Sequence, residues 1–555
     1  MIIIKKIHFC FALLSMFLVS AAIAQKTSDY TSKVPKFTFP TTLKAQEEAL
    51  KDNPLMIRFA ESRKRFADDP HRPFYHFVSP ENRLNDPNGL SFWKGKWHMF
   101  YQGYPPEDSR QHWAHAVSDD LIHWKDLPYA IYPGPERACY SGSALVEDDR
   151  VIVMYHGTEV GNMVAVSDDP LLLNWEKVTG EAVIPLNNSS GFPSEYTVYD
   201  PNIWKKDGVY YSLSGGKDNS GPGGKDVAQA YLFRSKDLKN WQYMHPFVEG
   251  DRFTLIGDDF ACPYFWPIGD RYILPFYSHM SGGQYVLGDY DKRRDKFVVT
   301  SHGNFNFGPS GPSGMHAPSA TPDGEDVIVI FNMNPGYPTK GWNQIMSLPL
   351  RLSLLDKDQI GIQPAGDIAS LRYDHKQLKS MKIEANKEQI LKSINGKSME
   401  INVVIDPGNS QMIELNVLRS PKKEEYTSIQ IYPFKGYRQG GRGYAKERGV
   451  VSERVKRETG TLISLVTAYS SILPDARSRA PETAEFILKK DELINLRIFV
   501  DRSVVEVFVN GVQMVAARVY PGLENSSGVS IRSQGYDCEL VSMDAWQMQD
   551  IWNDK

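Results

Sequence analysis

The sequence predicts an all-β protein, a five-bladed β-propeller followed by a C-terminal β-sandwich, and three observations carry that prediction. A Gly or Asp turn followed by a β-prone apolar and aromatic run recurs five times between residues 75 and 350, at spacings of roughly 50 to 65 residues. A second echo, Ser-x-Asp leading to Trp, occurs three times in the same span: Ser118-Asp119-Asp120 to Trp124, Ser167-Asp168-Asp169 to Trp175, and Ser235-Lys236-Asp237 to Trp241. Beyond residue 366, runs alternate between apolar and polar residues with the period of half-buried strands.

Residues 1–24 read as a secretory signal peptide: Lys5-Lys6, an apolar stretch to Val19, then small residues Ala22-Ile23-Ala24 before Gln25. A secreted or periplasmic protein is expected, and no later run is long and apolar enough to span a bilayer. Cys139, Cys262 and Cys538 remain after that leader, an odd number that argues against a disulfide framework. Residues 25–70 are polar with helix-prone Leu43 to Phe66, and are expected to form a leader or helical cap.

Residues 71–365 hold the repeats: Gly95 to Tyr101, Asp149 to Tyr155, Asp207 to Ser212, Gly269 to Leu274 and Glu325 to Phe331. Each is expected to mark one blade. Residues 366–555 read as the sandwich, with strands over Met399 to Ile405 and Ser428 to Tyr432; Asp501 and Glu506, on a C-terminal strand whose alternating apolar pattern explains the segment, read as structural. The basic, glycine-rich run Lys435 to Tyr444 reads as an exposed loop. A net charge of -4 with no basic block argues against a nucleic-acid or membrane-surface partner. No metal-ligand cluster or phosphate loop is visible, and no cofactor is expected.

A propeller brings the starts of separate blades to one axis, so acids distant in sequence can meet in one funnel. Asp86 lies in Asn85-Asp86-Pro87-Asn88-Gly89, which reads as a tight turn at a strand mouth. Asp200 lies in Tyr199-Asp200-Pro201-Asn202, and Asp258-Asp259 precede Ala261-Cys262-Pro263. Two opposed carboxylates are what glycoside hydrolysis needs. Aromatic residues, 12% of the chain with 28 Tyr and 11 Trp, suit the apolar faces of sugars.

These motifs, in this order, resemble glycoside hydrolase family 32, the invertases, levanases, inulinases and other β-fructosidases. Asn85 to Gly89 is similar to its nucleophile motif, Phe100-Tyr101-Gln102 and Trp113 to Ser118 to its first blade, and Tyr140-Ser141-Gly142-Ser143-Ala144 to its Phe-Ser-Gly-Ser-Ala. Ala317-Pro318, Gly341-Trp342 and Ser347 to Leu354 resemble the end of its propeller, and Leu496 to Gly511 the hallmark run of its sandwich. The resemblance implies a retaining double displacement on sucrose or fructans, with Asp86 as nucleophile and Asp200 gripping ring hydroxyls and stabilising the transition state. It implies that Asn85, Gln102, Trp113 and Ser141 line the sugar subsite.

Two positions depart from the family. Tyr199 stands where it has Arg, and Ala261 stands where it has the acid/base Glu of Glu-Cys-Pro. Asp259 is one expected substitute, because residues two apart on a strand share a face, although it starts about 7 Å further along. Glu195 and His316 are the other candidates. The departures leave open a glycosidase of the same fold for another sugar, using a displaced acid, and a sugar-binding protein without catalysis.

Overall fold

The computed structural model describes residues 30–186, 195–436, 460–489 and 491–552. The expected signal peptide and the glycine-rich stretch from residue 437 lie outside the described residues. Two helices come first, α1 (Leu43–Lys51) and α2 (Pro54–Phe66). The start of α2 is written locally: the Asn53 side chain accepts the Leu55 N–H at 3.0 Å, and Pro54 occupies the first turn, where its missing N–H leaves no bond unmade. Arg63 of α2 then grips Asp126 of the first blade through Nε at 2.5 Å and Nη2 at 2.7 Å.

Five sheets follow in chain order, antiparallel except where Val248–Glu249 runs parallel to Lys296–Asn304 at the edge of the fourth. Their leading strands are Leu84–Trp93, Cys139–Val146, Pro201–Lys206, Trp266–Ile268 and Met315–Asp323. The strands paired to these are Lys96–Gly103, Val151–Gly157, Val209–Asp218, Arg271–Ser278 and Asp326–Met333, so each copy of the recurrent run forms the second strand of a blade. The Ser-x-Asp echo is one turn built three times. Asp120, Asp169 and Asp237 each accept two backbone N–H groups just ahead of them. Leu121, Leu172 and Leu238 take left-handed φ of 70°, 52° and 66°, a conformation tolerated because their side chains are buried in the blade core.

Buried polar side chains stitch each leading strand to the next. Asn88 accepts the Gly142 N–H at 3.3 Å, Ser143 that of Ile203 at 2.9 Å, and Asn202 that of Phe265 at 2.9 Å. Trp266 Nε1 donates to the Ala320 carbonyl at 3.0 Å, and Ser319 accepts the Leu90 N–H at 3.0 Å. The last bond returns from blade 5 to blade 1. Backbone groups that would otherwise be orphaned between blades are satisfied this way, and the ring is closed.

The sandwich pairs a seven-stranded sheet, which includes Ser398–Asp406, Ile494–Asp501 and Val504–Val509, with a six-stranded sheet that includes Met412–Arg419 and Thr427–Tyr432. Its interior is aliphatic, with Ile401, Val403, Leu415, Ile429, Ile498 and Val507 all buried. Phe499, Val504, Phe508 and Met514 turn the other way and join the apolar core of the propeller. Cys139, Cys262 and Cys538 are buried and free.

Candidate active site

The leading strands do more than line an axis, because three of them carry the same irregularity at the same place. From Leu84 to Pro87 is three residues against two from Gly103 to Tyr101, and the same one-residue excess recurs between Cys139 and Gly142 and between Met315 and Pro318. A bulge of this kind re-aims the residues it contains. Here it carries Asn85-Asp86, Tyr140-Ser141 and His316-Ala317. The segment Asn85 to Gly89 is therefore a bulged strand rather than the tight turn its composition suggests. Pro87, which has no N–H to give a ladder, sits at the edge of the bulge, where pairing with Tyr101 resumes.

Asp86 is 8% exposed, and three donors converge on its Oδ2: Ser141 Oγ at 2.6 Å, Gln102 Nε2 at 3.1 Å and the Cys262 thiol at 3.8 Å. Its Oδ1 faces His316 Nδ1 at 3.2 Å, which also lies 3.3 Å from Asn332 Oδ1. Asp200, 6% exposed, accepts the Cys262 N–H at 3.1 Å and its thiol at 3.4 Å, so one thiol touches both carboxylates. Cys262 achieves this with φ of 47°, backbone strain of a kind that concentrates at functional sites.

Burial and neighbours drive the two acids apart. Burial pushes the Asp86 carboxyl up, but His316 and the Ser141 hydroxyl more than offset it and hold the group below its ordinary value. Asp200 is raised to about 6, by burial first and by the charge of Asp86 second. The Cys262 thiol is pushed up by burial and by both carboxylates, so it stays protonated and donates. The arrangement supplies one ionised carboxylate, one acid that titrates near neutrality, and fixed neutral donors.

Gln102, Ser141 and Asn85 are brought together with this pair: Gln102 Nε2 donates to Ser141 Oγ at 2.8 Å, and Asn85 Nδ2 to Gln102 Oε1 at 3.3 Å. Trp113 is placed differently. It has no exposed surface, donates its indole N–H to the Tyr140 carbonyl at 2.8 Å and stacks on Phe100, so it backs the Ser141 bulge from behind. Asp259 meets neither carboxylate; it holds His279, whose Nδ1 lies 2.8 Å from Asp259 Oδ2. Glu195 is exposed, and its carbonyl accepts the Tyr243 hydroxyl from the outer strand Trp241–Pro246, away from the axis.

Three participants escaped sequence reasoning. Asn332 and Gln344 both donate to Asn85 Oδ1, at 3.2 and 2.9 Å, from blade 5. The nearby Gly341-Trp342 motif was the only local pointer to Gln344, and nothing marked Asn332 or His279. Two cavities lie apart from the pair: about 650 Å³ between α2 and residues 550–552, and about 840 Å³ between residues 30–36 and blades 1 and 2. In the first, Asp126 is already held by Arg63. Among the described residues no cluster of three or more His, Cys, Asp or Glu is placed to hold a metal ion, and no helix is long and apolar enough to cross a membrane.

Comparison with known proteins bears directly on this geometry. Residues 76–364 match the glycosyl hydrolases family 32 N-terminal domain, and residues 367–547 match the C-terminal domain of the same family. Sucrose-6-phosphate hydrolase of Bacillus subtilis (strain 168) is 27% identical, over 82% of this chain and 90% of its own length. The insoluble β-fructofuranosidase isoenzyme CWINV2 of Arabidopsis thaliana is 26% identical, over 86% of this chain and 90% of its own. Fructan 1-exohydrolase IIa from Cichorium intybus, solved in complex with 1-kestose, superimposes with a TM-score of 0.74 at 21% identity, over 87% of this chain and 98% of that one. A closed ring of five sheets, a sandwich fused to it, a buried carboxylate pair at the starts of the ring's first and third leading strands and a family match across both parts converge: the chain is a glycosidase and belongs to glycosyl hydrolase family 32.

Proposed function

We propose that the chain is a secreted β-fructofuranosidase that hydrolyses fructofuranosyl bonds of sucrose or fructans with retention of configuration, Asp86 acting as nucleophile. One observation carries this reading: a buried Asp86, held ionised and bonded through a shared thiol to Asp200, meets an amide and a hydroxyl on one oxygen and His316 on the other, with no Lys or Arg beside it among the described residues. Neutral donors suit an uncharged polyol, since each supplies a directed hydrogen bond without demanding charge on the ligand. The named relatives act on fructose-containing sugars, which favours the same substrate class.

The mechanism follows from the two acids. Asp86 attacks the anomeric carbon to give a covalent fructosyl-enzyme, which water then hydrolyses. Asp200, ionised above about 6, faces the positive charge that develops on the ring. Asn85, Gln102 and Ser141 orient the ring hydroxyls, and Trp113 braces the strand that carries Ser141. The division at residue 365, with the propeller as catalytic domain, and export directed by residues 1–24 belong to the same proposal.

Purified protein is expected to release fructose from sucrose, 1-kestose, inulin or levan, with the β-anomer appearing first by NMR. Asp86→Asn is expected to lower kcat at least about 10³-fold. Turnover that survives Asp86→Asn, or release of the α-anomer first, contradicts the assignment. A second reading, a same-fold glycosidase for a different sugar, is favoured by Tyr199. Its half-exposed ring stacks on His156 at 5.3 Å and presents an aromatic face next to Asp200. Turnover of another glycoside, and of no fructoside, selects that reading.

A further inference from the structure

Hydrolysis of an unactivated glycoside needs a proton on the departing oxygen, and the carboxylates at the floor of the site are badly placed to give it. Asp86 is ionised, and Asp200 shares the Cys262 thiol with it, on the same side. In a retaining displacement the donor stands across the scissile bond from the nucleophile. His316 Nδ1 is 3.2 Å from Asp86 Oδ1, so a proton there serves the nucleophile's own side. The Tyr199 and Tyr277 phenols are pushed up by burial, Tyr277 to about 12, and are poor donors near neutrality.

The strand pairing at the start of blade 4 offers another group. Ala261 and Tyr277 face each other across an antiparallel bridge, with backbone bonds of 2.9 and 2.8 Å. Two residues back on one side and two residues on along the other, Asp259 and His279 face each other in turn. Asp259 Oδ1 accepts the His279 N–H at 2.9 Å, and its Oδ2 takes Nδ1 at 2.8 Å. The backbone N–H and Nδ1 of His279 are both pinned by one carboxylate, which leaves Nε2 without a partner among the described residues, on a side chain that is 63% exposed. The imidazole edge packs on the Tyr277 ring at 5.0 Å, and that ring lies 4.0 Å from His316, the partner of Asp86.

We propose that His279 is the proton donor of this glycosidase, with Asp259 as its positioning residue, so that an Asp–His pair does the work of a carboxylic acid at position 261. The inference rests on the retaining reading above. His279 touches Asp259 from its own blade and the Tyr277 ring, and it feels the charges of Asp200 from blade 3 and Asp86 from blade 1; Lys217, near Asp259, is paired with Asp226. The hydrogen bond to Asp259 comes first, and the three carboxylates together raise the imidazole above its ordinary value against the pull of partial burial, which favours its charged form.

The step balances as follows. As Asp86 bonds to the anomeric carbon, the glycosidic C–O bond breaks, its electron pair stays on the departing oxygen, and His279 Nε2 delivers a proton to that oxygen. Neutral His279 then takes a proton from water as the water oxygen attacks the same carbon. Asp86 leaves as carboxylate and the imidazolium is restored.

The test uses two substrates that differ in their need for that proton: sucrose, and 4-nitrophenyl β-D-fructofuranoside, whose leaving group departs unprotonated. His279→Ala and His279→Gln are expected to lose about 10²- to 10⁴-fold in kcat/KM on sucrose and less than about tenfold on the nitrophenyl substrate. The basic limb of the pH profile should vanish in both variants, and azide, a nucleophile that needs no base, should raise their kcat. Asp259→Asn should shift the basic limb to lower pH. Equal losses on both substrates, a basic limb that persists, or a leaving-group dependence that appears in Asp200→Asn instead would overturn the proposal. Should His279→Ala melt early, His279→Gln carries the comparison. Full turnover by Asp86→Asn sinks the retaining reading itself, whereas a dead Asp86→Asn beside an unaffected His279→Gln sinks only the donor.

Discussion

Asp200 is kept in a state that folding opposes. Its carboxyl titrates near 6 in the native protein because it is buried beside the charge of Asp86, whereas a free Asp titrates near 3.9. A folded pKa above the unfolded one means that the protonated form favours the native state. That contribution is present in full below about pH 4 and is lost as pH rises through about 6. At pH 7.5 the ionised Asp200 is therefore a net cost, of the kind that active sites accept for function. Asp200→Asn, which keeps the shape and can still accept the Cys262 N–H, is expected to raise stability at pH 7.5 by about 1–3 kcal/mol in urea unfolding, with the gain shrinking toward zero at pH 4. The same variant should lose at least about 10²-fold in kcat. Wild-type kcat/KM should show an acid limb near pH 6, where Asp200 loses the charge that faces the developing cation. A less stable Asp200→Asn at pH 7.5 would contradict the balance of burial and charge derived for this site.

At the scale of elements, the site depends on leading strands that misbehave in a repeated way. Gly89 shows how tight that construction is: its φ is +51°, and a Cβ there would meet Phe100 Cδ2 at 3.0 Å and Trp113 Cζ3 at 3.1 Å. Both rings are fully buried and cannot step aside, so Gly89→Ala is expected to cost about 1–3 kcal/mol, read as a fall in the urea midpoint. Activity should fall with it, since Trp113 braces Tyr140-Ser141. The second strands were legible from sequence because turn and apolar run lie side by side in each, as in Asp149-Arg150-Val151-Ile152. Asp86, Gln102, Ser141 and Asp200 were legible through motifs. The bulges were not, because the Asn85-Asp86-Pro87-Asn88-Gly89 composition that signals a turn is also what a broken ladder tolerates. The resemblance put Trp113 in the lining of the sugar subsite, and only the packing of Phe100 and Tyr155 around it shows a fully buried ring. The Asp259–His279 pair was hidden for another reason: it exists only in the register that sets Ala261 opposite Tyr277.

Across the whole molecule, the sandwich staples the seam at which the ring closes. Asp501 accepts the backbone N–H groups of Phe74, Tyr75 and His76 at 2.8, 2.8 and 3.0 Å, just ahead of blade 1, and takes His76 Nδ1 at 2.9 Å. Glu506, one strand on, lies 3.5 Å from His76 Nε2 and accepts the Leu348 N–H of blade 5 at 3.2 Å. The two ends of the propeller are thus held by one hairpin, and the reading of Asp501 and Glu506 as structural acquires a physical content. Burial alone would discharge His76, yet the two acids more than offset it and raise the imidazole to about 9. Because the folded value lies above the unfolded one, near 6.5, His76 contributes its full stability below about pH 6.5 and loses it as pH rises through about 9. Removing one member of a buried pair leaves the other charge uncompensated, so Asp501→Ala is expected to cost about 3–5 kcal/mol. The pH dependence separates this clamp from ordinary packing. Urea unfolding of the wild type should weaken steadily between pH 7 and 9.5, and His76→Gln, less stable at pH 7, should lack that slope. An identical slope in His76→Gln would mean that the seam is held by the apolar contacts of Phe499, Phe508 and Met514 and not by the buried imidazolium.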